Sequence, residues 1–541
     1  MTTHNYSDRV RAAVVGAGFG GLAAAIRLAA AGHEVTLLEK RDQIGGRAYQ
    51  YERDGFRFDG GPTVLTAPWM FEELFALAGE QMSDHVDLVA LDPFYRSFDV
   101  DGRPFDYHAD VAAMLAEVTA RSPSDAAGFQ RLGARISGIF DAFYPYTERP
   151  MMRPQVMLAM LPYLIQHRAM LDVRRLVNSC VRDPFLRQAL SFHPLLIGGD
   201  PSRTPALYSL IVEFERRWGV HYSMGGTGAL VGALGGLLER LGGRIVLAAD
   251  VERVLVSDGR AVGVQLADST TIAADVVVSN ADPGFTYEAL LAGQPRARPA
   301  RSRLRHSRPS MSLHVLYFGA DRTWPDSPLA HHNMIFAGDQ RSALRRVFGP
   351  RFGPRFAPGG RAGRTGRSLD ADDQFLYVHV PTRTDPTIAP RGCEALYVLV
   401  ATPATPEPSA DPGQEQERVR RTVLDILEDR FLPGLSEHLV VEHAIGPEHF
   451  RDVLNTPGGA AFSLQPTLFQ SGWFRPHNRS RSVRNLYLVG AGTHPGAGVP
   501  AVLASGKIAA DLIASDPIAG DPRARRAPAS AANATAPGVA P

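Results

Sequence analysis

The 541-residue chain carries 57 Lys and Arg against 56 Asp and Glu, so no charge excess draws it to nucleic acid, and no such partner is expected. It is too long for one compact core, and an apolar content of 45% fits a globular protein of two or more domains. Its two cysteines, Cys180 and Cys393, supply neither zinc-ligand spacing nor a disulfide framework, so no metal is expected.

Residues 1–15 hold no apolar segment of the signal-peptide kind ahead of the first strand pattern, and no uninterrupted apolar run reaches the ~20 residues that cross a bilayer. A cytoplasmic protein, soluble or bound to the inner membrane from its surface, is expected. The apolar run Ala12-Ala13-Val14-Val15 leads into Gly16-Ala17-Gly18-Phe19-Gly20-Gly21. An Ala- and Leu-rich segment follows to Ala31, Gly32 ends it, and Val35-Thr36-Leu37-Leu38 closes on Glu39. The order strand, glycine turn, helix, strand, acid is a dinucleotide-binding fingerprint. Gly16 permits the tight turn, Gly18 lets backbone N–H groups approach a diphosphate, and Gly21 lets helix and strand pack closely. The diphosphate sits on free N–H groups at the helix N-terminus. Glu39 can accept from a ribose hydroxyl, and it disfavours an NADP-type 2′-phosphate. The fingerprint alone leaves FAD and NAD open. Lys40-Arg41-Asp42-Gln43-Ile44-Gly45-Gly46-Arg47 then adds a second glycine pair and a guanidinium whose planar fork suits phosphate oxygens. The stretch LLEKRDQIGGRA resembles the extended dinucleotide motif of FAD-dependent amine oxidases and carotenoid desaturases, which implies FAD.

Further along, Phe56 and Phe58 alternate as a strand before the turn Gly60-Gly61-Pro62 and Thr63. Residues 68–78 read as a helix, 92–107 as a hairpin turning at Asp101-Gly102, 110–120 as a helix, and Ser124 as the cap of another. Residues 151–177 are rich in Met and Leu and flanked by basic residues, with Pro154 and Pro162 interrupting the helical pattern. A core helical hairpin and a membrane-dipping, lipid-binding region are both open there. His193, inside an apolar segment, reads as structural. Helices are predicted over 206–214 and 229–241, and strands over 244–247, 250–254, 261–266 and 275–280. Strands follow at 311–319, 375–381 and 395–401. Residues 341–367 hold eight arginines and no acid, as a linker or a basic surface for anionic headgroups. An amphipathic helix is predicted over 415–432. The last block is a strand at 485–489, the turn Gly490 to Pro500, and a helix over 501–513, whose N-terminus would favour negative charge on a reduced flavin. The Ala-, Pro- and Gly-rich 516–541 reads as a disordered tail.

Together, VVGAGFGGLAAAIRLAAAGHEVTLLEKRDQIGGRAY, FDGGPTV, LSFHPLLIGGDP, WGVHYSMGGTGALV, VVSNAD, FSLQPTLFQSGWFRPHN and NLYLVGAGTHPGAGVP resemble the bacterial CrtI-type phytoene desaturases, or carotenoid dehydrogenases, in matching order from about Val10 to Ile513. The chain departs from that pattern in AVLASG after Pro500, where a glycine is expected, and in the Arg-rich 341–367. The resemblance implies an α/β fold: a discontinuous Rossmann-type FAD domain (8–75, 243–300, 481–515), a substrate domain on an antiparallel sheet (76–130, 301–480) and a helical membrane-associated region (131–242). It implies FAD held by Gly16, Gly18, Phe19, Gly20, Gly21, Glu39, Lys40, Gly46, Arg47, Gly61, Pro62, Thr63, Val251, Gly490, Gly492, Gly498, Val499 and Pro500. The turn Gly60-Gly61-Pro62 would lie by the isoalloxazine and the Val251 backbone by the adenine. It further implies desaturation of 15-cis-phytoene towards neurosporene or lycopene, a long apolar polyene as substrate, a membrane surface as partner, and quinone or oxygen as electron acceptor. Hydride would pass from an allylic carbon to the flavin, and a neighbouring proton would be lost. No proton acceptor is assignable from the sequence; His494 and Arg217 read as structural. The competing readings are a desaturase of C30 diapophytoene or of hydroxy- or methoxyneurosporene, a flavin amine oxidase, and a non-catalytic lipid carrier.

Overall fold

The computed structural model describes residues 9–336, 338–349, 375–404 and 411–516. Most of the Arg-rich 341–367 and the tail beyond residue 516 lie outside the described residues.

Five strands form a wholly parallel sheet in the order Arg244–Val246, Glu34–Leu38, Arg11–Val15, Val276–Ser279, Leu486–Leu488. Val15 is level with Leu38 on one side and Ser279 on the other. All carboxyl ends therefore share one edge, where ligands of open parallel sheets bind. The strand order reverses around Arg11–Val15, so the crevice opens above its end, at Gly16. Helix Phe19–Ala30 is buried on nearly every side, which its alanines permit. It lies against helix Val499–Ser515, and a Cβ on Gly506 would stand 2.8 Å from the Ala23 Cβ and 2.9 Å from the Ala24 nitrogen. This close approach brings the N-termini of the first and last helices to the same crevice.

A second, seven-stranded sheet runs Leu439–Ile445, Ser312–Ala320, Glu394–Thr402, Leu376–His379, His332–Ile335, Tyr95–Phe98, Pro104–Tyr107. It is antiparallel except where His332–Ile335 pairs with Tyr95–Phe98, so it is mixed. Ser312–Ala320 is buried at every position, because both faces are covered. Helix Pro412–Arg430 covers one with Val419, Val423 and Leu427; the other joins the larger core around Tyr317 and Met334. The Val251–Ser257, Arg260–Leu266 and Thr271–Ala273 strands make a small antiparallel sheet beside the parallel one.

The helices of the middle region correct several expectations. Pro154 starts helix Pro154–Gln166 instead of breaking it, since a residue at the first position has no intrahelical N–H bond to lose. Pro162 stands inside that helix, which continues without the bond its nitrogen cannot donate. Ser124 makes no cap: helix Ala126–Phe143 has no side-chain cap bond, and the preceding Asp125 accepts instead from the Arg182 and Asp183 nitrogens, both at 2.8 Å. The predicted 206–214 helix is a short 3₁₀ turn, Ala206–Ser209, followed by helix Leu210–Trp218. No helix among the described residues is long and apolar enough to cross a membrane.

Candidate active site

One continuous cavity of about 480 Å³ runs from the crevice of the parallel sheet to the seven-stranded sheet.

At the crevice end, Gly16 holds φ +94°, open to glycine at little cost, and Gly18 precedes the free N–H groups of helix Phe19–Ala30. Glu39 is buried; its Oε2 accepts from the Ala17 nitrogen at 2.8 Å and its Oε1 from the Arg41 nitrogen at 3.1 Å. The carboxylate thus braces the glycine turn while lining the cavity. Lys40, whose pKa burial lowers, lies beside it. Gly45 takes φ +119° and bridges to Gly18, bringing the second glycine pair against the first. Arg47 lines the cavity and donates from Nε to the Ala461 carbonyl at 2.7 Å. Burial lowers its pKa, and Asp282 opposes that shift.

Gly16, Gly18, Phe19, Gly20, Gly46, Gly61, Pro62, Thr63, Val251, Gly490, Gly498, Val499 and Pro500 also line the cavity. Gly21 and Gly492 stand behind its wall. Gly21 packs on the Gly16 carbonyl, and a Cβ on Gly492 would stand 2.2 Å from Pro283 Cδ. The second glycine turn meets the first directly: a Cβ on Gly20 would lie 3.0 Å from the Gly490 nitrogen. Residues this close leave a backbone-lined groove with two helix N-termini facing it, as a dinucleotide diphosphate and the anionic edge of a flavin require. The residues present fit FAD.

Three contributors escaped the sequence reading. The Asn280 side chain is wedged between the two turns, where Cβ atoms on Gly18, Gly20 or Gly490 would all meet its amide within 2.9 Å. Its position at the end of a parallel strand was the available signal. Arg475, almost wholly buried, donates to the carbonyls of Ala491 (2.6 Å), Thr493 (3.0 Å) and Gln470 (3.2 Å), and so staples the turn after Gly490. Tyr377 bonds Thr63 Oγ1 at 2.5 Å and the His332 Nδ1 at 2.8 Å. Behind it, His331 and His379 bond to each other through their Nε2 atoms at 2.9 Å, and all three imidazoles lie close together. Burial lowers the pKa of each, that of His331 to about 3, so the trio is a neutral network supporting Tyr377.

Beyond the crevice the wall turns apolar, with Leu195, Ile197, Ile211, Met311, Leu313 and Met334. The polar residues considered from the sequence have structural bonds. His494 donates from Nε2 to the Arg149 carbonyl at 3.0 Å, and Arg217 pairs with Glu213 and Asp141, both at 2.7 Å. His193, 1% exposed, bonds Glu215, which does line the cavity.

Fold and site define a flavoprotein oxidoreductase, and the chain belongs to the flavin containing amine oxidoreductase family, whose sequence profile matches residues 19–514. It is similar to the lycopene-forming phytoene desaturase of Pseudescherichia vulneris, 44% identical over 498 residues, covering 92% of this chain and 97% of the relative. It is 41% identical over 506 residues to the neurosporene-forming phytoene desaturase of Rhodobacter capsulatus, covering 92% and 93%. Among solved structures, putrescine oxidase bound to putrescine superposes with a TM-score of 0.59 at 16% identity, covering 94% of this chain and 99% of that one; this likeness is of fold alone.

Proposed function

We propose that the protein is an FAD-dependent desaturase of a long polyene, with 15-cis-phytoene as substrate and neurosporene or lycopene as product. The observation that carries this reading is the single cavity, in which a dinucleotide groove opens straight into an apolar channel. A hydrocarbon offers no group to hydrogen-bond, so its position is fixed by shape and by exclusion of water. Bound FAD supplies the hydride acceptor. The protein's own part is to hold the cofactor through the glycine turns, Glu39 and Arg47. Leu195, Ile197, Met311 and Leu313 hold the chain of the substrate against it.

The same reading places the protein on a membrane surface. Helix Pro154–Gln166 directs Met160 into the cavity wall and leaves Leu158 67% and Ile165 60% exposed on its other side, with Leu161 and Tyr163 also exposed. Phe469, 73% exposed, adds to the exposed apolar surface. Such a face costs free energy in water and gains it in a lipid interface, where a water-insoluble substrate resides. Quinone or oxygen then takes the electrons from the cofactor. Expression in a bacterium that accumulates colourless phytoene tests the reading: coloured cells containing neurosporene or lycopene support it. Unchanged phytoene alongside desaturation of a C30 or methoxylated carotenoid would move the substrate but keep the class.

A further inference from the structure

Desaturation, the reaction proposed above and the reading on which this inference rests, removes two hydrogens from adjacent carbons. One leaves as hydride, which the family's flavin takes up; the other must leave as a proton. Five acids line the cavity: Glu39, Glu148, Glu215, Asp250 and Asp282. Glu39 is committed to the Ala17 and Arg41 nitrogens; Asp282 accepts from the Gly284 nitrogen at 2.7 Å through Oδ1 alone and has the cations Arg47 and Arg475 near it. Asp250 is exposed beside Val251 at the cofactor's far end. Glu148 is held by the Lys507 ammonium at 2.9 Å, which makes its carboxylate a weaker base.

Glu215 differs from all of these. It is 2% exposed, no Lys or Arg among the described residues pairs with it, and its partners are a phenol and an imidazole. Tyr95 donates its hydroxyl to Oε1 at 2.7 Å, and His193 Nε2 lies 3.0 Å from Oε2. The other imidazole nitrogen, Nδ1 of His193, is buried with no partner among the described residues. A chain of contacts also joins the pair to the Gly60-Gly61-Pro62 turn. The Tyr95 ring lies 6.0 Å from that of His332, which bonds Tyr377, which bonds Thr63 beside the Gly60-Gly61-Pro62 turn.

We propose that Glu215 is the proton acceptor of the desaturation, with His193 behind it as the positioning residue. As the hydride departs from the allylic carbon, positive charge develops on the polyene, and a carboxylate in an apolar wall stabilises it strongly. The C–H bond on the neighbouring carbon then breaks. Its electron pair becomes the new π bond, and its proton passes to a Glu215 oxygen, while His193 holds the carboxylate in place. Two hydrogens and two electrons leave the substrate, and the flavin is the oxidant.

The test compares the FAD-loaded wild type with E215Q and E148Q on phytoene in phosphatidylcholine vesicles, reading rate against pH, KM, flavin occupancy and thermal stability. Glu215→Gln keeps volume but accepts no proton, so its turnover falls at least about 100-fold with KM and flavin occupancy retained. The acidic limb of the wild-type pH profile disappears with it. His193→Gln shifts that limb without abolishing it. Turnover of E215Q within twofold of wild type, with the limb intact, overturns the assignment; so does loss of the limb in E148Q while E215Q keeps it. If E215Q does not load flavin, Glu215→Asp decides: a slower enzyme that keeps the acidic limb supports the role, and a flavin-loaded E215D lacking it refutes it. A wild-type protein that leaves phytoene unchanged would instead fail the functional reading itself.

Discussion

A Cβ placed on Gly21 would stand 2.1 Å from the carbonyl oxygen of Gly16, so the first helix and the glycine turn touch through bare backbone. The oxygen belongs to main chain held by the parallel sheet and cannot swing aside. Gly21→Val therefore forces the helix off the strand and opens the diphosphate groove. Overpacking of this kind costs about 1–3 kcal/mol. The variant should melt several degrees lower and purify colourless, which absorbance and a thermal scan read directly. Gly18→Ala is milder, since it meets only the side-chain amide of Asn280, at 2.9 Å, and should keep part of its flavin.

Glu39→Ala removes the acceptor of two backbone N–H groups, those of Ala17 and Arg41. A buried donor left without a partner costs about 1–3 kcal/mol, and here the loss falls on the turn that cradles the cofactor. Flavin affinity should drop by tenfold or more in equilibrium dialysis, while Glu39→Gln, which restores one acceptor oxygen, recovers part of it. Unchanged affinity in the alanine variant would contradict the role given to Glu39.

Acid should destabilise the protein. Burial lowers the folded pKa of His331 to about 3 and those of His449, His477 and His494 to about 4, against an ordinary value of 6.5. Below pH ~6.5 the unfolded chain therefore binds more protons than the folded one, and stability falls as the pH drops toward 4. Asp59 and Asp282, whose pKa burial raises, act in the opposite sense and offset part of the loss. The melting temperature should be clearly lower at pH 4.5 than at pH 7; a flat or rising profile would show that these histidines are not held neutral.

The exposed face of helix Pro154–Gln166 gives a fourth expectation. Replacing Leu158 and Ile165 together by Asp removes apolar surface that touches no core, so folding and flavin content should be unchanged. Flotation with liposomes should fall several-fold. Equal flotation of variant and wild type would place the membrane contact elsewhere.

The sequence was most legible where signals are local. Strands Arg11–Val15 and Glu34–Leu38, the turn between Gly16 and Gly21, and strand Val276–Ser279 follow from apolar runs punctuated by glycine or an acid. The site was legible where backbone holds the cofactor, because glycine spacing encodes backbone geometry. It was not legible where side chains meet across the fold. Thr63 and Tyr377 are 314 positions apart, and Glu215 and His193 are 22 apart, so no periodicity announces either pair. Arg475 sat in a recognised motif, yet its bonds to the carbonyls around Gly490 appear only once the strand Leu486–Leu488 joins the sheet. Proline misled in Pro154–Gln166, where a breaker in an isolated helix is tolerated by tertiary packing.

Oxidation of a polyene by this protein must reduce the flavin itself. The most direct measurement is anaerobic: FAD-loaded protein is mixed with phytoene in liposomes and the flavin absorbance followed without any other acceptor. Bleaching of the oxidised flavin is expected, with one new carbon–carbon double bond, detected as lengthened conjugation, for each flavin reduced. A flavin that stays oxidised with every carotenoid offered, yet bleaches with a primary amine, would contradict it.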